Sequence, residues 1–236
     1  MSGEFSHYYA LLDETDWSQL DHGGGPADPG TPAKLAGLVS GDSDAVTIAL
    51  NHLWNDLLHQ GSLYSATPAA ARCVAVVLGD PHTRECLTAS HRIQLLEWIA
   101  ELAYAVSISR ERQLEAWFGP GIMTRSSLFS EVRMIRPLLF RRVNKNLSDS
   151  DKSVVEAALL ASIHLLEDPE LTSLRREIAP KVKSILAASS IRSYRDVAIS
   201  GLEAWGENVE SLKRSTEGPL MEYQDSSIDY INDPPF

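Results

Sequence analysis

The chain predicts an all-α fold, a solenoid of helical hairpins with an N-terminal cap and an irregular acidic C-terminal tail. Three observations predict it. Apolar residues recur at helical spacing, as in Val46, Leu50, Leu53 and Leu57, at steps of four, three and four. Helix-start signals recur between these stretches: Thr31-Pro32, Thr67-Pro68 and Asp168-Pro169 each pair a capping side chain with a proline that misses no N–H there. No segment combines β-branched alternation with turn punctuation, so no sheet is expected.

Taken in order, residues 1–20 place Phe5, Tyr9 and Leu12 at helical spacing, followed by Trp17 and Leu20. This predicts a short helix that lays its aromatics on the first hairpin, and residues 1–42 are read as a cap. DHGGGPADPG at 21–30 is too rich in glycine and proline for regular structure and is read as a loop. It makes no phosphate cradle, because no strand precedes it and no Gly-Lys-Ser/Thr follows. Thr31 to about Val39 is a short helix, and Ser40-Gly41-Asp42-Ser43 ends it and caps the next.

Residues 42–81 are the clearest hairpin. The helix through Val46–Leu57 ends at Gly61, which supplies a left-handed C-terminal cap, and Thr67-Pro68 opens the second helix. A long helix is predicted over 83–107, apolar around so much of its girth that neighbours must cover both sides. Residues 110–125 break the rhythm at Gly119-Pro120-Gly121, with Trp117-Phe118 either tucked under or offered to a partner. Leu128–Val143 is helical, with Ser127 as cap and Pro137 predicted to kink or split it. Asp151–Glu167 and the helix after Asp168-Pro169 form another pair, with a second kink at Pro180. Tyr194–Trp205 and Asn208–Leu212 form the last pair, and residues 215–236 an acidic tail, disordered or draped. The starts of these pairs are spaced irregularly, but the spacing brackets the roughly 40–47 residues of HEAT and armadillo units. One domain is read over residues 1–214.

LNHLWNDLLHQGSLYSATPAA, followed by an apolar helix and Gly-Asp-Pro, resembles the opening unit of small bacterial HEAT-repeat proteins. In those, a helix ending Leu-Trp-x-x-Leu-x-His-Gln-Gly leads through Tyr-x-Ala into an Ala-rich helix. The matching residues are Leu53, Trp54, Leu57, His59, Gln60, Gly61, Tyr64 and Ala66, then Ala69, Ala70 and Ala71; Asn55 and Leu58 fit in character. The likeness covers 43–81, and extends to 83–107 and 151–205 by period only. The Arg-rich helix at 127–143 departs from it. The resemblance implies a non-catalytic binder, in some cases similar to immunity proteins encoded beside bacterial polymorphic toxins.

Charge is uneven. The net value is -11, with eight acids against one base in residues 1–44 and eight bases against four acids in residues 110–149. Phosphate recognition needs concentrated positive charge, so nucleic acid is not an expected partner. An acidic surface suits a basic protein and also simply favours solubility. No basic start joined to an apolar run marks a signal peptide, and no apolar run approaches the roughly 20 residues of a membrane span. Cys73 and Cys86 lack metal-type spacing and read as buried thiols. A cytoplasmic location is expected.

His52, Asp56 and His59 stand at i, i+4 and i+7, the spacing of one helix face. A metal or acid–base cluster is one reading; a structural role is the other, with His59 satisfying carbonyls in the last turn. Trp54, Gln60 and Tyr64 either form a recognition patch or lock the turn by packing. Trp117 is a turn-borne aromatic of the kind that anchors partners. Arg133 and Arg136 belong to a face that is either solvated or binds an acidic peptide. No nucleophile elbow, phosphate loop, HExxH pair or CxxC set appears. The expectation is a protein-binding module without cofactor or metal, most simply an immunity-type inhibitor of a basic toxin domain. A scaffold in a multi-protein complex and a HEAT-like enzyme acting at the His52–Asp56–His59 face are the alternatives.

Overall fold

The computed structural model describes residues 5–215. The predicted tail, apart from Ser215, lies outside the described residues. Helix α1 (Ser6–Glu14) packs on α2 (Thr31–Ala36) and α4 (Thr67–Gly79). Its buried face is Tyr8 and Leu12, while Tyr9, expected inside, is 41% exposed. A buried phenol needs an acceptor, and the Tyr8 hydroxyl finds one by donating to the Leu35 carbonyl at 2.5 Å. Residues 21–26 correct the expectation of no strand. β1 (Asp21–His22) and β2 (Gly25–Pro26) form a minimal antiparallel ladder, closed where Gly25 takes φ +113°.

Helix α3 (Ser43–His52) starts at Asp42, whose carboxylate accepts the Asp44 N–H, and continues into one π-helical turn, Leu53–Leu57. The chain then reverses through Gln60 and Gly61, both left-handed at φ +51° and +69°, and enters α4. The single helix expected over 83–107 is two: α5 (Thr83–Cys86) and α6 (Ala89–Ala105). Thr88 separates them because its hydroxyl accepts the His91 N–H and so begins a new helix. Residues 110–125, expected to break the rhythm, begin inside a helix, α7 (Ile108–Phe118), started in the same way by Ser107 on Arg110.

Helix α8 (Ser127–Val143) runs through Pro137 without dividing. Val132 and Ile135 before the proline and Leu139, Phe140 and Val143 after it are all buried, so packing holds both halves on one line. Helix α9 (Lys152–Leu165) follows. A 3₁₀ segment, Pro169–Leu174, leads into α10 (Arg175–Ser184), which likewise contains Pro180. Then come α11 (Arg192–Ala204) and α12 (Glu210–Ser215).

The most extensive helix contact is α6 on α9, followed by α4 on α8. Helix α6 also meets α3, α4 and α8, which accounts for the burial of Leu95, Leu96, Trp98, Ile99, Leu102 and Ala103. One apolar cluster runs from Tyr8 to Val209. Cys73 lies within it, and burial pushes its thiol up to about 12, which makes it a poor nucleophile. Cys86 is half-buried. Among the described residues no helix is long and apolar enough to cross a membrane.

Candidate functional site

Two places concentrate polar or aromatic groups in unusual settings: the π-helical turn with its hairpin loop, and the aromatic end of α7. In the first, wider winding leaves backbone carbonyls that need outside donors. Trp98 Nε1–H donates to the Leu53 carbonyl at 2.9 Å, the Gly23 N–H to Asp56 at 2.7 Å, and the Thr67 hydroxyl to Leu57 at 2.6 Å. Thr67 also accepts the Tyr64 N–H at 2.9 Å. Its hydroxyl therefore ties the preceding turn down and does not cap α4 as expected. Gly23 fits tightly here: a Cβ would come within 3.4 Å of the Asn55 carbonyl and the His59 Cβ.

His52 sits behind this turn and is 3% exposed. Its Nδ1 lies 2.6 Å from Asp56 Oδ2 and its Nε2 lies 3.0 Å from Thr31 Oγ1. A carboxylate only accepts, so Nδ1 carries the proton and the Thr31 hydroxyl donates to Nε2. Burial lowers the imidazole pKa, and the Asp56 carboxylate offsets this only in part. Thr31, read from sequence as a helix cap, thus spends its hydroxyl on His52. The His22 ring stands edge-on to His52 at 6.1 Å, and Asp28 holds Lys34 at 2.7 Å nearby. Lys34, Ile48, Asn51, His52, Asn55 and Asp56 line a shallow recess over the group.

Hydroxyl, imidazole and carboxylate in series is the order used to activate a nucleophile. Here the series faces inward. Thr31 is 0% exposed, and the ring nitrogen that would serve as base is occupied by it. The arrangement can hold a neutral histidine rigidly; it does not present an oxygen to a substrate. Among the described residues His59 is exposed and makes no hydrogen bond to His52 or Asp56, because the π turn and the bend at Leu58 (φ -153°, ψ 56°) break the α-helical register. Among the described residues no three His, Cys, Asp or Glu side chains converge as metal ligands.

Of the residues expected to recognise a partner in this turn, Trp54 packs against the core and Tyr64 is half-buried beside Gly23. His59 and Gln60 are exposed. Arg133 and Arg136 lie elsewhere and are committed. Arg136 is 4% exposed and donates from Nη2 to the Val106 carbonyl at 2.6 Å. Arg133 donates from Nε to the same oxygen at 3.1 Å and from Nη2 to Glu111 at 3.0 Å. Both close the C-terminal end of α6, where cations complement loose carbonyls. They bring no free basic stripe to the surface.

The second place is the end of α7. Among its residues only Arg110 and Leu114 are buried, while Trp117 and Phe118 are 39% and 46% exposed. The two rings meet edge to face with centroids 6.3 Å apart, and the Arg110 guanidinium lies 5.5 Å from the Trp117 centroid. The corner beyond is braced. Gly119 turns at φ +87°, its N–H bonding the Glu115 carbonyl at 2.9 Å, and the Glu115 carboxylate accepts the Gly121 N–H at 2.8 Å. Phe118 joins Trp117 in one patch, a pairing that neighbouring positions in the sequence already signalled. Comparison with known proteins finds no matching family model, no similar curated protein and no similar solved structure.

Proposed function

We propose that this chain is a non-catalytic protein-binding module, a curved solenoid of helical hairpins that docks a basic protein and, as an immunity-type inhibitor, neutralises a toxin domain. The observation that carries the reading is the aromatic end of α7. An exposed Trp–Phe pair, stiffened by a cation over one ring and a braced Gly-Pro-Gly corner, loses little freedom on binding, which is the physics of an interface anchor. The net charge of -11 supports a basic partner through steering. The inward-facing Thr31–His52–Asp56 series supports a non-catalytic role over the enzyme alternative.

The test is capture from the source cells at low salt, followed by reconstitution from purified components. The reading expects one near-stoichiometric basic partner, lost with Trp117→Ala, and suppression of that partner's toxicity on co-expression. Many weak partners, or a complex indifferent to Trp117, would return the scaffold reading.

A further inference from the structure

Beneath the other end of α7 lies a group of ionisable side chains that shares only Arg110 with the places described above. Glu101 and Tyr104 come from α6, Arg110 from α7, His164 from the last turn of α9 and Glu167 from just beyond that helix. The Tyr104 and His164 rings meet edge to face at 5.3 Å. Glu167 accepts the Ile108 N–H at 2.7 Å, while His164 Nδ1 stands 3.8 Å from its other oxygen, too far for a hydrogen bond. Among the described residues that buried His164 nitrogen has no hydrogen-bond partner. The Glu101 carboxylate is the exceptional member. It makes no hydrogen bond or ion pair among the described residues, although its charge interacts with His164 and Arg110. Arg110 does not close onto it, being spent on Gln113 Oε1 at 2.6 Å and on the Trp117 face.

A half-buried carboxylate without a donor carries a desolvation cost, and this burial raises the pKa of Glu101. The way in passes Gly61. A Cβ on that half-buried residue would stand 2.9 Å from Glu101 Oε1, so the missing side chain leaves the carboxylate edge clear on this side. Tyr104 supplies a half-buried aromatic wall, and Ile108, 47% exposed, begins the helix that flanks the group.

We propose that this crevice receives one cationic side chain, a guanidinium or ammonium head carried by the protein partner, with Glu101 as its counter-ion and the Tyr104 ring as its wall. This deepens the protein-binding reading and rests on it for the source of the cation. The aromatic corner and the crevice flank α7 at its two ends, so one partner segment laid along the helix reaches both.

The test uses the whole protein and a small probe. N-acetyl-arginine methylamide is titrated while backbone amide resonances are followed by NMR, with N-acetyl-citrulline methylamide as the uncharged isostere. Saturable shifts confined to Gly61, Glu101, Tyr104 and Ile108 are expected for the arginine probe alone. Glu101→Gln, which keeps size and removes an unpaired half-buried charge, is expected to fold and to weaken binding about tenfold or more. Glu131→Gln, the same charge change on an exposed residue of α8, is expected to leave it unchanged. Equal response to citrulline, equal loss in both variants, or no saturable shift at these amides overturns the proposal. The probe needs no partner protein, so this outcome is independent of whether the capture experiment succeeds.

Discussion

The Thr31–His52–Asp56 series shows what one buried ring can determine. His52 has both nitrogens engaged and lies where an unmade bond is expensive. Replacing Thr31 with Val keeps the volume and removes the donor, leaving Nε2 unsatisfied. A loss of about 1–3 kcal/mol in urea unfolding is expected. The pH dependence follows from the lowered His52 pKa. Below about 6.5 an unfolded histidine takes up a proton that folded His52 resists, so the unfolded state binds more protons. Stability is therefore full above that pH and declines as pH falls through the window. His52→Gln should flatten this slope between pH 7 and 5, read as the difference in unfolding midpoint from wild type. His52 and Asp56 were legible as neighbours because i, i+4 spacing survives the local winding. Thr31 was not: it is 21 residues away and its hydroxyl looked like a cap.

At the scale of elements, helices were legible where apolar spacing was strong and illegible where a single side chain rewrote the local rule. Thr88 and Ser107 each start a helix that periodicity alone had merged with its neighbour or dissolved. Helix α7 was hidden because most of its surface is charged or exposed, so no buried stripe announces it. Pro137 failed to divide α8 because tertiary packing on both sides outweighs the missing backbone bond. Close approach between elements was equally invisible. A Cβ on Gly37 would lie 2.6 Å from the Ala45 carbonyl, and one on Gly201 within 2.5 Å of Ile163 Cγ2. Alanine ordinarily stabilises a helix by up to about 1 kcal/mol over glycine. Gly201→Ala in α11 should reverse that sign, lowering stability by about 1–2 kcal/mol as buried Ile163 is displaced. Gly37→Ala should cost more, because its neighbour is backbone and cannot turn aside. Thermal melts of the two variants side by side test the order.

For the whole molecule, the sequence announced helices and an acidic balance, but not which surfaces stay open. Arg133 and Arg136 looked like a presented basic face and instead seal the end of α6, since only the fold reveals that Val106 lies beneath them. Trp117 and Phe118 looked as ready to tuck under as to project, and they project. If a basic partner docks there, acidic steering requires its association rate to fall about tenfold or more as salt rises from low to well above physiological ionic strength, with dissociation much less affected. Stopped-flow mixing at several salt concentrations reads this. The central claim, that the α7 aromatics anchor a protein partner, is tested most directly by the affinity of the reconstituted complex for wild type against Trp117→Ala with Phe118→Ala. The account predicts a stoichiometric complex weakened about 30-fold or more, as for anchors contributing about 2 kcal/mol or more. Undiminished affinity in the double variant, or no stoichiometric complex at low salt, contradicts it.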